Sequence, residues 1–92
     1  MKIGSKEYTA KINNRVIWDI EEAFDNKPIS IIMTEVEGFT LKQTGTLIWH
    51  TIKDEVSFDE FADSIEPTQY MDAAVEVGKA LGKAFDTGSK KK

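Results

Sequence analysis

A chain of 92 residues makes one domain with no room for a second, and at that size only a little over ~60% of the unfolded surface is buried, so the core is modest. The absence of cysteine excludes disulfides, thiolate metal sites and thiol nucleophiles. The net charge of −4 understates the acidity: without Lys90, Lys91 and Lys92, nine of the 12 basic residues face 16 acidic ones, a balance of −7 that disfavours nucleic acid as a partner.

The first stretch, "MKIGSKEYTAKI", lacks the apolar run of about 7–15 residues of a secretion signal. Nowhere does the chain approach the ~20 apolar residues of a membrane helix, so a cytoplasmic protein without a membrane partner is the expectation. The same stretch is patterned as a β-hairpin over residues 2–12. Gly4-Ser5 supplies a two-residue turn, and Tyr8, Ala10 and Ile12 alternate with polar residues to give one apolar face that must dock on helices.

"NNRVIWDIEEAFDNK" predicts a first helix, capped by Asn13 or Asn14, with Val16, Ile17, Ile20, Ala23 and Phe24 on one side. Pro28 suits the first turn of a second helix, whose Ile29, Ile32, Met33 and Val36 repeat at helical spacing. Gly38 is placed to end it in a left-handed conformation, with Phe39 folding back on the last turn. Thr40 and Gln43 form a capping box that opens a third helix, with a core stripe of Leu41, Gly45, Ile48 and Ile52 and a close helix crossing at Gly45 beside Trp49.

"SFDEFADSIEP" predicts a short fourth helix with Ser57 as N-cap, Glu60 at the third position, and Val56 and Phe61 at the spacing of a hydrophobic staple. Pro67 then starts the last helix. Met71, Ala74, Val75, Gly78, Leu81, Gly82 and Phe85 form its core face, with Ala73, Val77, Ala80 and Ala84 as a second apolar face beside it. Only Asp72, Glu76, Lys79, Lys83 and Asp86 make a polar stripe, so this helix is either central to the fold or binds something. The expected fold class is mainly α (α+β): a short N-terminal hairpin and about five helices in one small bundle over 1–86, with 87–92 a disordered Lys-rich tail.

Catalytic and metal chemistry find little support. If Glu60 were the twelfth ligand of a calcium loop, the position that requires glycine would hold Asp54. The single histidine, His50, lies opposite Leu41, Ile48 and Ile52 on a helical wheel, which makes it a solvent-side residue, and no phosphate loop, HExxH or GxSxG motif occurs. The paired acids Glu21-Glu22, Asp54-Glu55 and Asp59-Glu60 are sequence neighbours and read as solvated faces. No catalytic residue, metal or cofactor is expected.

Large apolar residues off the core faces carry more information. Trp18, Ile31 and Leu47 each lie well away from the apolar side of their helix, and Val77 and Ala80 widen the apolar arc of the last one. Such residues either touch another helix of the same domain or belong to an association surface. Together they favour a protein that works by binding proteins, with these five residues as the candidate contact set.

The order "IGSKEY", "VIWDIEEAFDNKPIS", "TLIWHTI", "SFDEFADSI", "VGKALGKAF", which covers Ile3 to Phe85, resembles the tail assembly chaperones of long-tailed phages and prophages. The resemblance implies a small, acidic, non-catalytic helical protein that coats the tape-measure protein, keeps it soluble and releases it as tail tube subunits polymerise, and that self-associates into homo-oligomers. It also implies a longer frameshifted form, for which a slippery sequence could encode "SKKK". The alternative is a small acidic inhibitor or antitoxin whose segment Asp54 to Glu76, with eight acids and no Lys or Arg, occupies a basic groove on a partner protein.

Overall fold

A computed structural model describes residues 1–85; the segment 86–92, with its Lys-rich end, lies outside the described residues. Strand β1 (Lys2–Ile3) pairs antiparallel with β2 (Lys6–Glu7), Lys2 facing Glu7 and Ile3 facing Lys6. Gly4 opens the turn at φ +63, and a Cβ there would stand 3.0 Å from the Ser64 carbonyl oxygen, so both conformation and space require glycine. Strand pairing stops at Glu7, well short of Ile12. The alternation beyond it is nonetheless expressed: Tyr8, Ala10 and Ile12 are half-buried against the core while Thr9, Lys11 and Asn13 are exposed. Lys11 donates its backbone N–H to the Thr51 carbonyl at 2.9 Å, so this segment is held by a helix end rather than by a strand.

Helix α1 (Asn14–Ala23) begins where the Asn13 side chain accepts the Val16 N–H at 2.9 Å. It ends at Asp25 and Asn26, both left-handed at φ 62 and 60, a conformation their short polar side chains tolerate. The Asn26 N–H returns to the Glu21 carbonyl at 2.8 Å and closes the helix end.

Pro28 sits one residue earlier than expected, as the extended cap of α2 (Ile29–Glu35), and the Glu21 carboxylate of α1 accepts the otherwise orphaned Ile29 N–H at 2.8 Å. Glu21 is therefore a cap on the next helix and not simply part of a solvated acidic face. Gly38 is not left-handed either. The chain tightens into a 3₁₀ turn, Val36–Gly38, and Phe39 stacks on Phe24 beyond α1 with ring centroids 5.2 Å apart.

The capping box of α3 (Leu41–His50) is complete: Thr40 Oγ1 accepts the Gln43 N–H at 3.1 Å, and Gln43 Oε1 accepts the Thr40 N–H at 2.9 Å. Helix α4 (Phe58–Ser64) starts on Ser57, which accepts the Glu60 N–H at 3.1 Å, with Val56 and Phe61 both buried as the staple requires. Trp49 fastens α3 to α4, its indole N–H donating to the Val56 carbonyl at 2.9 Å and its ring meeting Phe58 edge-on at 5.4 Å. A 3₁₀ turn, Pro67–Gln69, separates α4 from α5 (Tyr70–Ala84), so the last helix starts at Tyr70 rather than at Pro67.

Helix α3 lies at the centre, packed most extensively on α5 and also touching α1 and α4. A Cβ at Gly45 would come within 3.4 Å of the Tyr70 ring and 3.5 Å of the Phe61 ring, which locates the expected close crossing between these helices. Ile20, Ile32, Ile48, Phe61, Val77 and Leu81 are fully enclosed, together with Ile3 from the hairpin. On α5 Leu81 is buried as expected of the core face, but Ala73 and Val77 from the second face join it, while Met71, Val75 and Phe85 are exposed. Among the described residues no helix is long and apolar enough to cross a membrane.

Gln69 joins the two ends of the fold. Its side-chain oxygen accepts the Gly4 N–H at 2.8 Å and the Glu66 N–H at 2.9 Å, while its amide nitrogen donates to the Gly4 carbonyl at 3.0 Å. At about 1 kcal/mol per net hydrogen bond, Gln69→Ala should cost about 3 kcal/mol and lower the thermal midpoint by ~15 °C. Gln69→Glu, which keeps the acceptor and loses the donor, should fall between that variant and the parent in the same calorimetric scan.

Candidate functional site

Only one side chain in the chain titrates near neutral pH without perturbation, and it stands in a charged corner between α1 and the end of α3. His50 is half-buried rather than solvent-side, its ring 4.9 Å from that of Trp49, and its Nδ1 is enclosed without a hydrogen-bond partner among the described residues. The Lys53 ammonium donates to the Asp19 carboxylate, tying the residues after α3 back to α1. Burial, followed by the nearby Lys53 charge, holds His50 below the ordinary imidazole value, against the opposing pull of Asp19. Asp19 is itself held low, chiefly by its hydrogen bond from Lys53. The imidazole is thus neutral at pH 7, beside a carboxylate already engaged by lysine. Among the described residues no three His, Asp or Glu side chains gather where they could hold a metal ion.

The five apolar contact candidates divide. Trp18 and Ile31 are 60% and 43% exposed. Leu47 and Val77 are only 4% and 0% exposed, so both belong to the core, and Ala80 is half-buried. Leu47 lies off the predicted stripe of α3, but α3 is covered by α1, α4 and α5, so a single-sided wheel misplaces it. Val77 lies on the inward side of α5 because that side, which also carries Ala73 and Leu81, is the one that packs.

The residues displaced from the core by this arrangement form a surface of their own. Leu41, the first residue of α3, is exposed, as is Met71 one residue into α5. Because Gly45 lets Tyr70 approach within 3.4 Å of its missing Cβ, the first turns of α3 and α5 lie side by side. Between them opens a groove of about 400 Å³ walled by Val36, Phe39, Leu41, Tyr70, Met71 and Ala74, with Glu37 and Pro67 also lining it. Its walls are mostly apolar and its neighbouring cap Thr40 is rigidly held, as expected of a surface that receives an apolar side chain or helix.

A larger cleft of about 650 Å³ lies between the end of α1 and the start of α3, but charged groups such as Lys27, Glu35 and Lys42 line it, and Lys27 is already paired with Glu35 at 2.7 Å. The smaller groove is therefore the better candidate. Helical spacing places Leu41 and Met71 in the core, whereas both are exposed in the structure.

Compared with models of known protein families, with characterised proteins and with solved structures, the chain finds no match in any of the three.

The His50 environment sets a pH window. Its pKa is lowered from 6.5 in the fold, so the unfolded chain takes up the proton more readily. Stability is then full above pH 6.5 and declines as pH falls below it, until the folded chain also becomes protonated. Urea midpoints should be lower at about pH 5.5 than at about pH 7.5, and His50→Gln should remove most of that difference. Asp19 acts in a separate window, its contribution being lost only as the pH falls below 3.8.

Proposed function

We propose that the chain is a non-catalytic binding protein that covers an apolar helical segment of another protein. In the setting its sequence resembles, this is the role of a tail assembly chaperone that shields a tape-measure protein in the host cytoplasm and yields it to tail tube subunits. The observation that supports it most directly is the apolar groove between the first turns of α3 and α5, where Met71 and Leu41 remain exposed. A long helical client exposes more apolar area than water tolerates, and an amphipathic helix lays its apolar side chains into a groove of this kind.

The acidity suits the same task. Asp59, Glu60 and Asp63 on α4 are exposed, and a coat of such domains gives the covered client a repelling, soluble exterior. Each contact can be weak, because many copies on one long ligand act together. The exposed acids also support the competing reading, an inhibitor that occupies a basic groove, and the two differ in their response to salt.

The discriminating experiment titrates the protein with a fluorescent amphipathic peptide of about 20 residues bearing a Leu stripe, and co-expresses it with tape-measure fragments. Binding should persist from ~0.05 to ~0.5 M salt and weaken at least ~10-fold in Leu41→Asp, a change at an exposed site that leaves the fold intact. Fragment solubility should fall in parallel. An affinity that collapses with salt, or with neutralisation of Asp59, Glu60 and Asp63 while Leu41→Asp is silent, would establish the inhibitor instead.

A further inference from the structure

The groove between α3 and α5 does not stop at Ala74. Its α5 wall, Met71 and Ala74, is continued one turn later by Val75 and Gly78 and then by Gly82 and Phe85, so one strip of surface runs from the groove along the last helix. Met71, Val75 and Phe85 are exposed on it, while the inward side of the same helix fills the core. Gly78 and Gly82 give the strip its shape. Neither has a positive φ, and a Cβ at either position would meet nothing within 4 Å. Each weakens the helix relative to alanine, and no turn or internal contact calls for it. Together they leave a shallow notch, one turn wide, where a large side chain of another helix can rest against the α5 backbone.

Charge borders the strip on the side away from the groove. Asp72 stands beside its first half, Lys79 and Lys83 beside its second; all three are exposed, and none has an ion-pair partner among the described residues. Glu76 differs, because it already faces the Met1 ammonium at 3.5 Å. The free charges therefore suit a partner with a base near the groove and acids near the far end. A helix holds acids best in its first turn and bases in its last, so a partner helix with that charge order runs antiparallel to α5. A second copy has the same charge order, but the middle of its own strip offers nothing larger than Val75, and it fills the notch less well than leucine or phenylalanine does.

We infer that the occupant of this surface is a single amphipathic helix of another protein, laid antiparallel along α5. It places one bulky apolar residue in the α3–α5 groove and a leucine or phenylalanine, two turns earlier in its own sequence, in the Gly78–Gly82 notch. Acids flank its N-terminal half and a base flanks its C-terminal half. This deepens the binding role proposed above and rests on it. Helix α5 has 15 residues, so the contact spans ~22 Å, about four turns of the partner. The groove and notch supply most of the affinity, and the border charges supply selectivity.

The probes are two fluorescent peptides of about 20 residues with the same Leu stripe: one with glutamates flanking its N-terminal half and lysines its C-terminal half, the other with these charges exchanged. At ~0.1 M salt the first should bind at least ~5-fold tighter, and exchanging the border, Asp72→Lys with Lys79→Glu and Lys83→Glu, should reverse the preference. Gly82→Leu, at a site with open space around it, should weaken the first peptide at least ~10-fold with a thermal midpoint no lower than the parent's, and Gly82→Ala should fall between. Since the chain has no cysteine, Phe85→Cys protein should form a disulfide faster with a peptide carrying an N-terminal cysteine than with one carrying it at the C-terminus. Peptides that respond to Leu41→Asp but not to Gly82→Leu or to the charge exchange would leave the groove as the binding site and overturn the strip. Failure of either peptide to bind the parent protein would overturn both readings. A dimer that sedimentation shows to be lost in Gly82→Leu, with peptide binding unchanged, would assign the strip to a second copy and overturn the inference.

Discussion

The contact between α3 and α5 at Gly45 determines much of what the molecule shows to solvent. The Tyr70 and Phe61 rings press to within 3.4 and 3.5 Å of the place where a Cβ would stand, so α5 starts almost against the backbone of α3. The side of α5 that turns inward carries Ala73, Val77 and Leu81. Met71, Val75 and Phe85 lie outward, and Leu41, at the mouth of the contact, is left without cover. The exposed apolar surface thus follows from how the core is closed.

Local chemistry in the sequence was legible where it is self-contained. The caps at Asn13, Thr40 and Ser57 and the staple of Val56 on Phe61 are present as the residue spacing requires, because each involves groups within five residues of one another. Choosing between faces was harder. On α5 two apolar arcs lie side by side, and bulk favours Met71 and Phe85, yet packing distance favours Ala73 and Val77. On α3 the wheel assumes one covered side where the fold covers several, which is why Leu47 is enclosed and His50 half-enclosed. Gly38 illustrates a third kind of error. The left-handed residues that reverse the chain are Asp25 and Asn26, so the turn lies one helix earlier than glycine suggested. The long-range bonds of Gln69 and Glu21 have no sequence signature, since nothing in a glutamine or a glutamate announces a partner 65 or eight residues away.

The clamp at Gln69 also bears on how the chain reaches this structure. Ile3 is 2% exposed and Gly4 is held by a residue 65 positions further on, so the hairpin, though made first, has nothing to settle on until most of the chain exists. On a ribosome the first strand emerges early and waits, its apolar side chain in water, while α1 to α4 are still being made. Completion of the core is thereby deferred to the arrival of the last helix, and nascent chains cut short before Gln69 lack the partner that holds the turn of their own first hairpin.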